Sequence, residues 1–201
     1  RINRRQRQMC IRDRVLVGRA EAWEFLIIWS QSILDITWPK DLWMSEISKG
    51  LANGLTNYGD PEFAKYLRRS FAKSMGYTNE SLDKPIVGIC YTESSFNNCH
   101  RHFTEMLEAV KRGVLATGAL PMPFPMISLG EVFLSPTSMV YRNLMAMAVE
   151  EMIRAQPMDA VVLMGGCDKT VPALLMGAVS AGKPAVMLVA GPMMTGRYKG
   201  E

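Results

Sequence analysis

No CxxC pair occurs in this 201-residue chain, no apolar run is long enough to cross a bilayer, and histidine appears only twice. Each shortage excludes something. Cys99 and Cys167 lie far apart in sequence, so with no CxxC the spacing is wrong for a zinc finger. The longest uncharged stretch near the front, residues 25–34, is too short for a membrane span. No secretory signal pattern accompanies it. Cysteine is scarce: Cys10, Cys90, Cys99 and Cys167 are all there are. We therefore read a cytoplasmic protein with reduced thiols, buried or metal-binding rather than bridged. Acidic residues are nearly missing from the first 19 positions, which hold seven Arg and one Asp. That segment accounts for the net charge of +4 and leaves the remainder slightly acidic. A basic tag on a nearly neutral domain gives no reason to infer nucleic acid as a partner.

What is present is a chain of 48% hydrophobic and 21% charged residues, the balance of a globular domain with one core. All four tryptophans fall within residues 1–43, and residues 1–14 have no apolar period that packs. We expect residues 1–43 to be a non-native or disordered leader, with Met44 as the native start. The alternative is a genuine basic arm with an amphipathic helix over 20–34.

The sharpest stretch is 161–200. Residues 161–164 are a short apolar run ended by Gly165-Gly166. Residues 170–181 read as a helix with Leu174, Leu175 and Ala178 on one side, and 184–190 is a second apolar run. Strand, loop, helix, strand is the pattern of a parallel βαβ unit. Upstream, Asp60-Pro61 starts a helix whose stripe is Phe63, Leu67, Phe71 and Met75. Its basic residues Lys65, Arg68, Arg69 and Lys73 lie off the stripe, solvated or, for Arg68 or Arg69, facing an anionic substrate. Residues 85–90 form a buried strand with Cys90 in the core. A polar loop leads to Cys99-His100-Arg101-His102, which opens a helix near whose N-terminus a thiolate is favoured. Residues 121–127 are a proline-broken extended segment. Ser135-Pro136 begins a helix with Met139, Val140, Leu144 and Met147 as its apolar side. The order β–α–β–α–β–α–β predicts an α/β fold: a doubly wound, mostly parallel sheet flanked by helices.

In such a sheet the loops carrying Cys99, Glu131 and Cys167-Asp168-Lys169 open on one edge. Thiolates suit iron or zinc and carboxylates suit magnesium, so the mixed set points to two adjacent centres. Zinc on Cys99, His100 or His102, and Cys167 is the rival. Taken alone, Gly165-Gly166-Cys167-Asp168 is equally a turn with a helix cap. The segment from Gly177 to Lys183-Pro184 imitates a phosphate-binding loop. It has Pro where Ser or Thr must hold magnesium, and it closes a helix instead of opening one.

Three motifs in order, Asn98-Cys99-His100, Ser128-Leu129-Gly130-Glu131 and Gly165-Gly166-Cys167-Asp168-Lys169-Thr170 with Pro172-Ala173, give residues 59–201 a family likeness. They resemble the N-terminal part of the iron–sulfur dihydroxy-acid and sugar-acid dehydratases, and Ser-Leu-Gly-Glu is closer to the sugar-acid branch. The resemblance implies a hydro-lyase that converts an aldonate, such as a pentonate, to a 2-keto-3-deoxy acid. It implies Cys99 and Cys167 as ligands of a [2Fe–2S] cluster. It also implies Glu131, Asp168 and a carbamylated Lys169 as ligands of Mg2+. His100, His102 and Thr170 are expected near the substrate or behind the ligands. It further implies that 44–201 is a truncated domain whose third cysteine ligand, serine base and C-terminal domain lie elsewhere. Neither Cys10 nor Cys90 matches the third ligand. By itself the chain is then expected to be inactive. The full protein is expected to be a homo-oligomer acting on a small-molecule sugar acid. The alternatives are a branched-chain dihydroxy-acid dehydratase and a non-catalytic α/β binding module.

Overall fold

In the computed structural model, residues 15–19, 22–28, 49–55, 58–191 and 196–199 are described. Cys10 and Met44 lie outside the described residues, as does most of the expected leader. The elements run β1 (Val15–Arg19), β2 (Ala22–Ile28), α1 (Pro61–Ser74), α2 (Asn79–Leu82), β3 (Ile86–Tyr91), α3 (Phe103–Ala116), β4 (Leu120–Pro125), α4 (Ser138–Ala155), β5 (Ala160–Gly165), α5 (Thr170–Ala181) and β6 (Ala185–Val189). The strands make one sheet in the order β2-β1-β6-β5-β3-β4. Strands β3 to β6 are parallel neighbours, and β1 and β2 add an antiparallel hairpin beyond β6. The alternative helix over 20–34 does not form, because Ala22–Ile28 is a strand registered on β1.

Period-two alternation divides the core between two faces of the sheet. Ile86 and Cys90 of β3, Val161 and Leu163 of β5, and Met187 of β6 join one cluster with α4 and α5. Ile89 and Met164 point the other way and meet Phe103 of α3. Helices on both faces are what a doubly wound sheet requires, so the expected fold class stands. Cys90 is fully buried, and burial pushes its thiol far up, consistent with a core role.

The proline-rich segment resolves into a strand. Pro121, Pro123 and Pro125 alternate along β4, while the N–H groups of Leu120 and Met126 bond Pro85 and Tyr91 on β3. The three positions with no N–H to give therefore face the outer edge, where a sheet tolerates proline.

Two expected apolar faces are corrected. On α1, Asp60 Oδ1 caps the N–H groups of Glu62 and Phe63 as expected. Yet Ala64 and Ala72 are buried while Phe63, Phe71 and Met75 are exposed. Arg68 is the cause: its guanidinium reaches the carbonyls of Leu51, Asn53 and Gly54 and turns that face inward. Arg69 pairs with Asp83, so both arginines are engaged within the fold. On α4, Met145, Ala146, Val149 and Ile153 are buried, whereas Met139, Val140, Leu144 and Met147 are exposed. The helix is apolar on both sides, and contact with α5 selects the side with small residues. A Cβ on Gly177 would meet Ala146 O at 2.6 Å and Val149 Cβ at 2.7 Å, so these helices pack backbone to backbone. The short helix α2, capped by Thr78, carried no sequence assignment.

Candidate functional site

After β3 the chain crosses to β4 on one side, and after β4 it returns to β5 on the other. The crevice outside the carboxyl ends of β3 and β5 is thus a topological switch point, where ligands collect in open α/β sheets. The loop after β3 carries Cys99, and the loop after β5 carries Cys167.

The two cysteines are brought together. Asn97 Oδ1 accepts the backbone N–H of Cys99 at 3.1 Å and the thiol of Cys167, also at 3.1 Å. Beyond the effect of burial, the Cys99 side chain acts on Cys167, adding to the rise of its thiol. Cys167 has φ 64°, a left-handed conformation that a non-glycine residue holds only when its surroundings enforce it. The preceding Gly166 leaves no room for a side chain. A Cβ there would sit 2.7 Å from Ala190 Cβ, 3.0 Å from His100 Cδ2 and 3.2 Å from Cys99 Cβ.

His100 locks this corner. It is fully buried and stacks on Phe103 with ring centroids 4.5 Å apart. Nε2 lies 2.8 Å from the Gly166 N and 3.0 Å from its O, and Nδ1 lies 2.6 Å from Thr92 O; a ring proton on Nδ1 serves the Gly166 N–H and the Thr92 carbonyl together. Burial pushes its pKa below the ordinary value, against smaller opposing contributions from the Gly166 and Thr92 backbones. With both nitrogens committed to backbone, His100 offers no lone pair to a metal. His102 Nε2 is 3.1 Å from Ala190 O. The zinc set of two cysteines and a histidine is therefore not assembled.

The helix that Cys99 was expected to open begins further on. Helix α3 starts at Phe103, after a turn through Cys99. Burial, helped by Cys99, pushes the Cys167 thiol up to about 12. Binding a metal here must release a proton.

The hard ligands form a second group. Lys169 Nζ lies 2.5 Å from Asp168 Oδ2 and 3.4 Å from Glu131 Oε1. The Asp168 carboxylate, with Glu131 behind it, raises the Lys169 pKa. Thr170 is fully buried; its Oγ1 meets Leu129 N at 3.3 Å and Leu129 O at 3.4 Å. It therefore fastens the loop bearing Glu131 and has no hydroxyl free for a substrate. Gly130 lets the same loop close on the one after β3, since a Cβ would lie 2.4 Å from Phe96 O. Among the described residues no three His, Cys, Asp or Glu side chains converge as a metal-holding group. Each set supplies two such donors.

Asn97 had no place in the sequence reading. It precedes the Asn98-Cys99-His100 motif and reads as one more loop residue. Only its burial and its two sulfur-side contacts distinguish it.

Residues 84–201 match the N-terminal family of dihydroxy-acid/6-phosphogluconate dehydratases, and the chain belongs to that family. It is 46% identical to L-arabonate dehydratase of Azospirillum brasilense over 145 residues, covering 72% of this chain and 25% of that protein. It is 49% identical to 6-deoxy-6-sulfo-D-gluconate dehydratase of Pseudomonas putida over 121 residues, 60% of this chain and 21% of the relative. Dihydroxy-acid dehydratase of Clostridium botulinum (strain Eklund 17B / Type B) is 36% identical over 143 residues, 68% of this chain and 26% of the relative. The chain spans about a quarter of the length of the curated relatives it matches. Among the described residues no helix is long and apolar enough to cross a membrane.

Proposed function

We propose that the protein carrying this chain is a hydro-lyase that removes water from C2 and C3 of an aldonate to give a 2-keto-3-deoxy acid. The observation that carries this reading is the meeting of Cys99 and Cys167 on one amide, beside a separate Glu131–Lys169–Asp168 group. Cys99 and Cys167 would hold a [2Fe–2S] cluster, and Glu131, Asp168 and carbamylated Lys169 would hold Mg2+. The donors fit: two cysteines meet at one amide, and two carboxylates already bracket a positive charge. When bound, these groups supply Lewis acidity toward the departing hydroxyl and the substrate carboxylate.

The chain's own residues set the positions. His100 fixes Gly166 and so aims Cys167. Thr170 anchors the loop that presents Glu131. Lys169 keeps the two carboxylates together while no metal is present. Two thiols are too few for a cluster, so we expect this chain alone to hold none stably and to turn over no substrate.

The higher identity to the L-arabonate enzyme than to the dihydroxy-acid enzymes favours a sugar acid. The test is an assay of the full protein with pentonates and with dihydroxyisovalerate, following 2-keto acid. Turnover of dihydroxyisovalerate alone shifts the reading to the branched-chain reaction. Absence of both turnover and cluster absorption after reconstitution points to a non-catalytic binding module.

A further inference from the structure

We propose that Asn97 is the positioning residue that sets the Cys99–Cys167 pair for metal, an inference that rests on the dithiol reading above. Its side chain touches all three loops at the switch point. Oδ1 accepts from Cys99 N–H and from the Cys167 thiol. Nδ2 donates to Ser128 Oγ at 3.1 Å in the loop after β4. Asn97 is 1% exposed, so its amide is held on the interior side of each of these bonds, which are themselves part-buried. Its backbone is fixed as well: Asn97 N–H bonds Ser94 O at 3.1 Å, and Asn97 O accepts from His100 N–H at 2.9 Å.

The geometry gives the amide a task that no neighbour shares. His100 orients Gly166, one residue before the sulfur-bearing position. Thr170 bonds only the Leu129 backbone. Asn97 alone among these three contacts the Cys167 sulfur itself while holding the Cys99 backbone. A left-handed Cys167 relaxes readily without a contact on its side chain. Removing the amide therefore lets the two sulfurs drift apart with little change in the surrounding fold.

The probe is Co2+ added to the reduced chain, read by thiolate-to-cobalt charge-transfer absorption. The unsubstituted chain is expected to show the band, and Cys99→Ser and Cys167→Ser to lose it. Asn97→Ala is expected to weaken Co2+ binding by roughly tenfold to a hundredfold, the range seen when groups orienting a ligand are removed. Thr170→Val serves as the control for a merely structural loss, since it loosens the adjacent loop without touching sulfur. Asn97→Ala binding Co2+ no more weakly than Thr170→Val overturns the inference while leaving the thiol pair intact. Absence of the band in the unsubstituted chain overturns the thiol pair and this inference together. Should Asn97→Ala fail to fold, Ser128→Ala decides: it removes the acceptor of Nδ2, and unchanged affinity there overturns the proposal.

Discussion

The two halves of the site are built in opposite ways. The sulfur half is anchored from the interior: Asn97 and His100 are buried, while Cys99 and Cys167 themselves are half-buried. The carboxylate half stands at the rim, where Glu131 is 57% exposed, and its side chains meet one another through charge. A soft pair needs a fixed distance and gets it from hydrogen bonds to a buried amide. A hard pair tolerates motion and is gathered by an ammonium that a metal ion would replace. Substitutions of the interior groups behind the sulfurs, Gly166 and His100, should therefore damage the fold, and those of the carboxylates should damage only ligand binding.

The largest break is expected from Gly166→Val, whose side chain would collide with Ala190, His100 and Cys99. Overpacking of this kind costs about 1–3 kcal/mol or more, before left-handed strain at Cys167 is added. Thermal unfolding would show it, and unchanged stability would mean the three loops are not in contact. His100→Ala comes next, at about 3 kcal/mol, because it leaves a void and strands the Gly166 N–H and the Thr92 carbonyl.

The same residue predicts a pH dependence. Its folded pKa lies below the ordinary 6.5, so the folded state binds fewer protons than the unfolded chain. This contribution to stability is complete above about 6.5 and is lost as pH falls through the folded pKa. Chemical denaturation across pH 5 to 8 should show wild type losing stability on the acid side and His100→Ala losing less. Parallel curves would count against a buried neutral imidazole.

Thr170→Val keeps the shape and removes the clamp on Leu129, for an expected loss of about 1 kcal/mol. Glu131→Gln should be the smallest, within about 1 kcal/mol, since exposed ion pairs contribute little. In the same variant Mg2+ affinity should fall clearly. A Glu131→Gln protein that loses several kcal/mol would erase the contrast between the halves.

Element order was legible because period and punctuation are local. Asp60-Pro61 announced α1, and the runs around Gly165 announced β5 and β6. The convergence of Cys99 with Cys167 followed from the parallel order, since loops after parallel strands share an edge. Which face of α1 and α4 is buried was not legible. Both helices carry apolar residues on more than one side, and the choice is made by Arg68 reaching back and by Gly177 admitting Ala146. The raised Cys167 thiol was not legible for a related reason: proximity to a helix start can be read from sequence, but burial cannot. Asn97 was invisible because an amide gains its meaning only from what stands on the far side of the sheet edge.

The alternating prolines of β4 reach beyond local geometry. A strand that offers no N–H along its outer margin cannot template a further strand, whether from this molecule or another. Sheet extension by a second chain is thereby blocked at the β4 margin; among the described residues the opposite end of the order is β2.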